Sequence, residues 1–341
     1  MIDLRSDTLT LPTPAMREAM LAAPLGDDVY AEDPTINELE RRTAALLGHE
    51  AGLFCATGSL ANLLGVRLSV EPGEEVLCDV AAHIVRAEMG AHSAVHGVTM
   101  RTVTSTDGLV DVAAYQALLA PNAGPHLVST AAVAVENTHN FGGGTVQPYG
   151  ALVELAELCR PVGVGLHLDG ARLWNAHVAT GVPLGDYGRL FDTISVCFSK
   201  GLGAPVGSVL VSTAANIKKA RVWRKRLGGG WRQGGILAAA ALYALDHHVD
   251  RLAEDHQAAA SFAVAVAEQA PDAVDASTVA TNIVVLDTGT VPAAEVAAAA
   301  QAEGVRVSAL GSTMLRAVTH LDVTVDQCAS AGQVIGRLLR R

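Results

Sequence analysis

Aromatic side chains make up only 4% of this 341-residue chain, although 50% of its residues are hydrophobic. A core so short of rings has to be built from small aliphatic side chains carried on many helices. Cysteine is sparse too. The five, Cys55, Cys78, Cys159, Cys197 and Cys328, are odd in number and form no CxxC pair. That argues against a disulfide framework or a zinc site, and for reduced, mostly buried thiols in a cytoplasmic protein. Charged residues are few, 17%, and unbalanced toward acid, with a net charge of −11. The excess favours solubility and works against broad contact with nucleic acid or anionic lipid. No uncharged apolar run is long enough to cross a bilayer, and the opening MIDLRSDTLT lacks the apolar segment of a secretory leader. Nucleotide signatures are missing as well. No GxxxxGK[ST] occurs, and Gly201-Leu202-Gly203-Ala204-Pro205-Val206-Gly207 sets its third glycine one place late and a proline where a helix must run.

What the chain does have is alternation. Short apolar runs at 131–135, 162–168, 193–198 and 206–211 read as strands covered on both faces, and 36–47, 59–69, 150–159 and 233–248 read as helices. Strands alternating with helices imply an α/β fold with a mostly parallel central sheet. The length suggests two domains. Past residue 250 the texture changes to an alanine-rich helix (251–269), a strand at 283–286, a helix at 293–302, a strand near 305–308 and an apolar-to-basic run at 314–320. Thr324-Val325-Asp326-Gln327 has the form of a capping box opening a last helix. The expected division is a large domain over 1–250 and a smaller C-terminal α+β domain over 251–341. Gly142–Gly144 reads as a surface turn.

In an open parallel sheet, ligands bind beyond the carboxyl ends of the strands. Asp169 closes the apolar run Leu166-His167-Leu168. Its carboxylate can pair with a pyridinium nitrogen or cap the helix that follows. Lys200 follows Ile194–Phe198 and precedes Gly201-Leu202-Gly203. A lysine held away from water becomes a nucleophile suited to Schiff-base chemistry, whereas at a surface turn it is merely solvated. An acid and an amine at neighbouring strand ends are together what a pyridoxal ring requires. Gly58-Ser59 opens a helix after Ala56-Thr57. Its free backbone N–H groups make an anion site, or Ser59 is an ordinary cap. His92 and His96 have a spacing that can hold a metal, but no third ligand is evident and none is expected. The basic run Lys218–Arg226 reads as a solvated helix face whose end reaches an active-site phosphate, rather than as a nucleic-acid contact.

Beyond these features, the ordered set Asp3-Leu4-Arg5-Ser6-Asp7-Thr8, Gly26-Asp27-Asp28-Val29-Tyr30, Glu136-Asn137-Thr138-His139-Asn140, Asp169-Gly170-Ala171-Arg172, Ser199-Lys200-Gly201-Leu202-Gly203, Gly228-Gly229-Gly230-Trp231-Arg232-Gln233 and Arg316-Ala317-Val318-Thr319-His320 resembles the low-specificity L-threonine aldolase family. The resemblance runs from the first residues to about 322. It implies the aspartate-aminotransferase fold (fold type I) of pyridoxal 5'-phosphate enzymes. It implies a homo-tetramer built from dimers with shared active sites, and an N-terminal arm (1–12) that contributes to the site. The implied reaction is retro-aldol cleavage of a β-hydroxy-α-amino acid to glycine and an aldehyde.

Roles follow by resemblance. Lys200 resembles the Schiff-base lysine, Asp169 the partner of the pyridine nitrogen, and His83, in Ala81-Ala82-His83, the histidine that stacks on the cofactor ring. His126 resembles the histidine near the substrate hydroxyl. Gly58 and Ser59 resemble the phosphate cradle, and Lys225 and Arg232 basic residues that approach it from a neighbouring subunit. Ser6, Arg172 and Arg316 resemble the clamp on the substrate carboxylate, with Arg172 also at the cofactor. The chain departs from many members at Ser59, where threonine is common, in the length of the loop Phe141-Gly142-Gly143-Gly144-Thr145, and in Ile84-Val85-Arg86, which is not aromatic-rich. The rival readings are another reaction on the same scaffold, such as β-elimination or transamination, and a non-catalytic nucleic-acid-binding protein.

Overall fold

The computed structural model describes residues 1–340. The chain opens with a two-residue strand, β1 (Ile2–Asp3). Among the described residues the central sheet has seven strands: β2 (Ala51–Cys55), β3 (Glu75–Asp79), β4 (Thr99–Val103), β5 (Thr130–Glu136), β6 (Gly165–Gly170), β7 (Thr193–Cys197) and β8 (Ser208–Ser212). Their order across the sheet is β2-β8-β7-β6-β5-β3-β4. From β4 to β7 every pairing is parallel, and β8 is antiparallel to both its neighbours. The link 198–207 is too short for the crossover that a parallel return needs, and it turns instead through Pro205 and Gly207, at φ 120°. The mostly parallel α/β sheet expected from the alternation is therefore present.

Helices Pro34–Leu46, Gly58–Arg67, Tyr149–Cys159 and Gly235–His247 occupy the stretches expected to be helical. The expected strand at 162–168 begins later, at Gly165, because Arg160–Val162 continues the preceding helix as a 3-10 turn that Gly163 ends at φ 74°. Strands β2, β3 and β4 lie outside the four expected runs. In β2, Gly52 packs so closely on the helix Pro34–Leu46 that a Cβ there would lie 2.6 Å from the Glu40 carbonyl oxygen. β4 is an edge strand that keeps Thr99 and Thr102 exposed.

A second core gathers Leu4, Phe262, Leu286, Leu315, Ile335 and their neighbours. It lies between the helices Leu252–Ala267 and Val325–Leu339 and a small antiparallel sheet. Strands β9 (Ile283–Asp287), β10 (Val305–Arg306), β11 (Ser308–Ala309) and β12 (Met314–Val318) supply its extended segments. The single strand expected near 305–308 is split, since β10 pairs with β1 and β11 with β12. The first residues thus dock on the C-terminal elements, and the chain then passes Asp7–Thr10 back toward the sheet. The capping box at Thr324 and Gln327 forms as expected.

Two expectations fail on packing. Gly142–Gly144 does turn, but not at the surface: Gly142 and Gly143 are half-buried, Gly144 is buried at φ 75°, and a Cβ on Gly144 would meet Thr281 and Ile283. The helix Ala214–Arg226 is not simply solvated. It turns Arg221 and Arg224 inward onto Asp28 and Glu40, while Arg67 and Arg226 lie against Trp223. Among the described residues no helix is long and apolar enough to cross a membrane.

Candidate active site

The parallel strands end at one edge of the sheet, and their last residues build the site. Register pairs Asp169 of β6 with Glu136 of β5 and Ser195 of β7. Asp169 is buried; its Oδ2 accepts from Asn62 Nδ2 at 2.8 Å and its Oδ1 from the Ala171 amide at 3.1 Å. It does not cap the following helix Leu173–Thr180, whose cap position is Arg172. Lys200 stands three residues past the end of β7 and is partly exposed, with Nζ 3.7 Å from Cys197 Sγ. Its carbonyl accepts from the Thr10 hydroxyl at 2.9 Å, which ties the N-terminal segment to the lysine loop.

Asp169, Lys200, His83, Thr57, Gly58, Ser59 and Thr8 line one cavity of about 340 Å³. The helix Gly58–Arg67 points its N-terminus there. Thr57 is the cap, accepting from the Leu60 amide at 3.1 Å, so Ser59 is not the capping residue. A Cβ on Gly58 would lie 2.7 Å from Cys197 Sγ, so only glycine allows the helix start to press this close. Its leading N–H groups carry the positive end of the helix dipole.

His83 begins a short helix beyond β3. Its amide donates to Glu136 Oε2 at 2.7 Å, and Glu136 Oε1 accepts from the Asn140 amide at 2.9 Å. One buried carboxylate at the tip of β5 therefore seats both the His83 and the Asn140 segments. The His83 ring meets Glu88, with Nδ1 2.8 Å from Oε1. Burial lowers its basicity, but Glu88 and Asp169 outweigh this and raise its pKa. His83, Glu88 and Asp169 offer atoms within 4.8 Å of one another, but Asn62 Nδ2 already donates to both carboxylates, as a cation would otherwise do. His92 and His96 are used differently: His92 Nε2 lies 3.0 Å from Glu88, and His96 packs edge-on against Trp223.

The expected clamp is partly engaged already. Arg172 forks onto Asp7, Nε to Oδ2 and Nη2 to Oδ1 at 2.8 Å each. Burial works against ionisation of Asp7, yet the Arg172 charge overrides it and holds the carboxyl at about 2. Asn140 Oδ1 accepts from Arg172 Nη1 at 3.3 Å and from Arg316 Nη1 at 2.9 Å. Arg316 Nε has no partner among the described residues. Ser6 is partly buried and accepts from the amide and hydroxyl of Thr8, which itself lines the cavity.

Three residues do not join this group. His126 sits exposed on a turn before β5 begins at Thr130, at the sheet edge opposite Glu136 and Asp169. The intervening strand alone spans about 20 Å. Lys225 lines a different surface depression with Arg221, Arg226 and Gly230, and Arg232 lies 3.6 Å from Asp27, 63% exposed. The motif reading also passed over Asn62, Asp7, Asn140 and Glu88 as site residues. Asp7 and Asn140 belong to two of the family-like segments and Asn62 to the helix that Gly58-Ser59 opens; nothing local marks Glu88.

A family model described as "Beta-eliminating lyase" matches residues 3–289. The chain is 42% identical over 330 residues to the protein named "Low specificity L-threonine aldolase" from Escherichia coli (strain K12), covering 96% of each. It is 42% identical over 289 residues to "Low-specificity L-threonine aldolase 1" of Arabidopsis thaliana, covering 84% of this chain and 81% of that one. A solved structure of Leishmania major threonine aldolase shares the fold at a TM-score of 0.83 and 22% identity, covering 99% of this chain and 100% of the other. Sphingomonas wittichii serine palmitoyltransferase shares it at 0.76 and 17%, covering 99% and 88%. With a β-eliminating lyase model along most of its length and relatives this close over nearly all of it, the chain belongs to the low-specificity L-threonine aldolase family.

Proposed function

We propose that the protein cleaves L-threonine and related β-hydroxy-α-amino acids to glycine and an aldehyde, as a lyase dependent on pyridoxal 5'-phosphate. The observation that carries this reading is the cavity that gathers the Lys200 amine, the Asp169 carboxylate, the His83 imidazole and the leading N–H groups of a helix. Those residues fit the cofactor. The helix start offers N–H donors to a phosphate, and the Cβ-free Gly58 leaves room for it against Cys197. Asp169 keeps a lone pair on each oxygen for a pyridinium N–H.

When bound, pyridoxal phosphate supplies an aldehyde carbon for covalent attachment and a protonated ring that draws the electron pair out of the Cα–Cβ bond. In this assignment Lys200 Nζ is the attaching amine, Asp169 keeps the proton on the ring nitrogen, and His83 covers a ring face. Gly58 and Ser59 donate to the phosphate. Arg316, with Nε unpartnered among the described residues, takes the substrate carboxylate. Arg172, committed to Asp7, orients Asn140 and presents its Nη1 edge beside Arg316, and Ser6 supports the Thr8 wall. Holding the carboxylate decides which Cα bond stands perpendicular to the ring. A base takes the β-hydroxyl proton as aldehyde leaves, help typically worth ~10²–10⁴-fold.

His126, Lys225 and Arg232 lie outside their own chain's cavity, so they reach a site of this kind only from a neighbouring subunit. We assign His126 to the substrate hydroxyl and the two basic residues to the phosphate, in a homo-tetramer built from dimers with shared sites. Exposed Leu21, Met89 and Leu127 offer apolar surface for association. The separate cores support a division near residue 250 into 1–250 and 251–341, with the start of the arm 1–12 packed through Ile2 and Leu4 on the second core. Free, buried cysteines support a cytoplasmic setting.

Product analysis tests the reaction. L-threonine and L-allo-threonine should each give glycine and acetaldehyde in equal amounts. Ammonia with a 2-oxo acid would assign β-elimination instead, the activity for which the matching family model is named.

A further inference from the structure

Glu88 has no role above, yet two of the three groups its carboxylate meets, His83 and Asn62, line the cavity. Its side chain is 0% exposed. Oε1 faces His83 Nδ1 and Asn62 Nδ2, both at 2.8 Å, and Oε2 faces His92 Nε2 at 3.0 Å. Burial alone would keep this acid protonated. The donors from His83, His92 and Asn62 reverse that and hold it at about 2. An ionised carboxylate only accepts, so the ring nitrogens that face it must both carry protons. We infer that Glu88 is a positioning residue: it fixes the His83 proton on Nδ1, leaving Nε2 to exchange one, and it holds the Asn62 amide in the orientation that donates to Asp169.

The Asn62 amide cannot turn over. Nδ2 gives one hydrogen to Glu88 and the other to Asp169, while Oδ1 lies 3.1 Å from His167 Nε2 and accepts from the Ser195 hydroxyl. A flipped amide would set its oxygen against two carboxylates. Glu88 and Asp169 therefore share one rigid spacer, and the group facing the ring nitrogen is braced from behind by the group that orients His83. The charged groups around His83 are Glu88 on its own segment, Asp169 from β6, Glu136 from β5, and Lys200 across the cavity. Glu136 binds the His83 amide, so the contact that sets the ring's proton is the one from Glu88. A carboxylate behind an imidazole sets its tautomer and favours its charged form, as it does for histidines in triads and at metal sites.

The inference rests on the functional reading only for which ring His83 faces, and its test reads His83 directly. Nitrogen NMR of histidine-labelled holoenzyme, with the His83 signals assigned by their loss in His83→Asn, should show neutral His83 protonated at Nδ1. In Glu88→Gln the His83 midpoint should fall by about one pH unit, with the Nε2–H form appearing and kcat for L-threonine falling more than KM changes. Glu88→Asp, which keeps the charge, should restore most of the midpoint. Retained cofactor absorbance in these variants shows an intact cavity. A wild-type enzyme that binds no cofactor would instead defeat the functional reading. Neutral wild-type His83 protonated at Nε2, or an unmoved midpoint in folded Glu88→Gln, overturns the inference. The wild-type spectrum decides alone where Glu88→Gln does not accumulate.

Discussion

Asp7 and Arg172, 165 residues apart in the chain, form a two-pronged buried ion pair with both contacts at 2.8 Å. The pair pins the N-terminal segment to the turn beyond β6. It also aims the remaining edge of Arg172 at Asn140, which Arg316 shares. The order of the N-terminal segment and the placing of the cationic edge are therefore one problem.

Asp7→Ala leaves the buried Arg172 charge without its carboxylate partner. Removing one member of such a pair costs about 3–5 kcal/mol. Urea denaturation of Asp7→Ala should show a loss of that order, whereas Asp3→Ala, which breaks the exposed contact to Arg5, should cost under about 1 kcal/mol. Equal losses from the two would show that Asp7 does not carry the stability assigned to it.

Arg316→Ala removes the guanidinium assigned to the substrate carboxylate. A hydrogen bond to a charged group is worth about 1.5–3 kcal/mol, which corresponds to roughly 10–100-fold in KM for L-threonine. Steady-state kinetics read it. An unchanged KM removes Arg316 from the clamp.

Gly58→Ala drives a methyl group to 2.7 Å from Cys197 Sγ. The helix start must retreat, and cofactor retention, followed by absorbance during dialysis, should weaken by ~10-fold or more, a cost within the 1–3 kcal/mol of overpacking. Adding Cys197→Ala should recover much of it. Retention in Gly58→Ala equal to wild type would show that the close approach is not needed.

Much of this site could be read from residue order, and the reason is physical. Asp169, Lys200 and Gly58 each break an apolar run at a strand end or helix start, so pattern and chemistry coincide at those positions. Asn62, Glu88 and Asn140 break no pattern. Asn62 acquires its meaning from Asp169, 107 residues away, and Glu88 from a carboxylate environment that only the fold assembles. His126, Lys225 and Arg232 are a different case, since a single chain sets them outside the cavity that their motifs suggest. Strands β2, β3 and β4 were legible only in part: β2 is a short apolar run interrupted by Gly52, β3 offers Val76-Leu77-Cys78 between two acids, and β4 is a polar edge. Gly142–Gly144 is a turn, as glycine clusters commonly mark, but it is packed rather than exposed, because the missing side chain of Gly144 admits Thr281 and Ile283.

Asp255 gives a pH dependence of known sign. Burial behind the lysine loop outweighs the ion pair to Arg251 and raises its pKa from 3.8 to about 6. A carboxyl raised on folding stabilises the protein below its unfolded pKa, and that stabilisation is lost as pH rises through about 6. Between pH 5 and pH 8 the wild type should therefore lose about 1–2 kcal/mol relative to Asp255→Asn. Thermal melts of the two proteins at both pH values read the difference. Titration of His167 and His256, common to both, cancels. Parallel pH profiles would show that Asp255 ionises in the fold as freely as in the unfolded chain.

The most direct measurement is borohydride reduction of the purified yellow enzyme, followed by peptide mapping and assay of Lys200→Ala. A pyridoxyl group recovered on Lys200, with loss of threonine cleavage in the variant, is the predicted result. A reduced protein whose pyridoxyl group lies on another lysine, or a colourless protein that yields no adduct, would contradict the assignment of the cavity between Asp169 and Lys200.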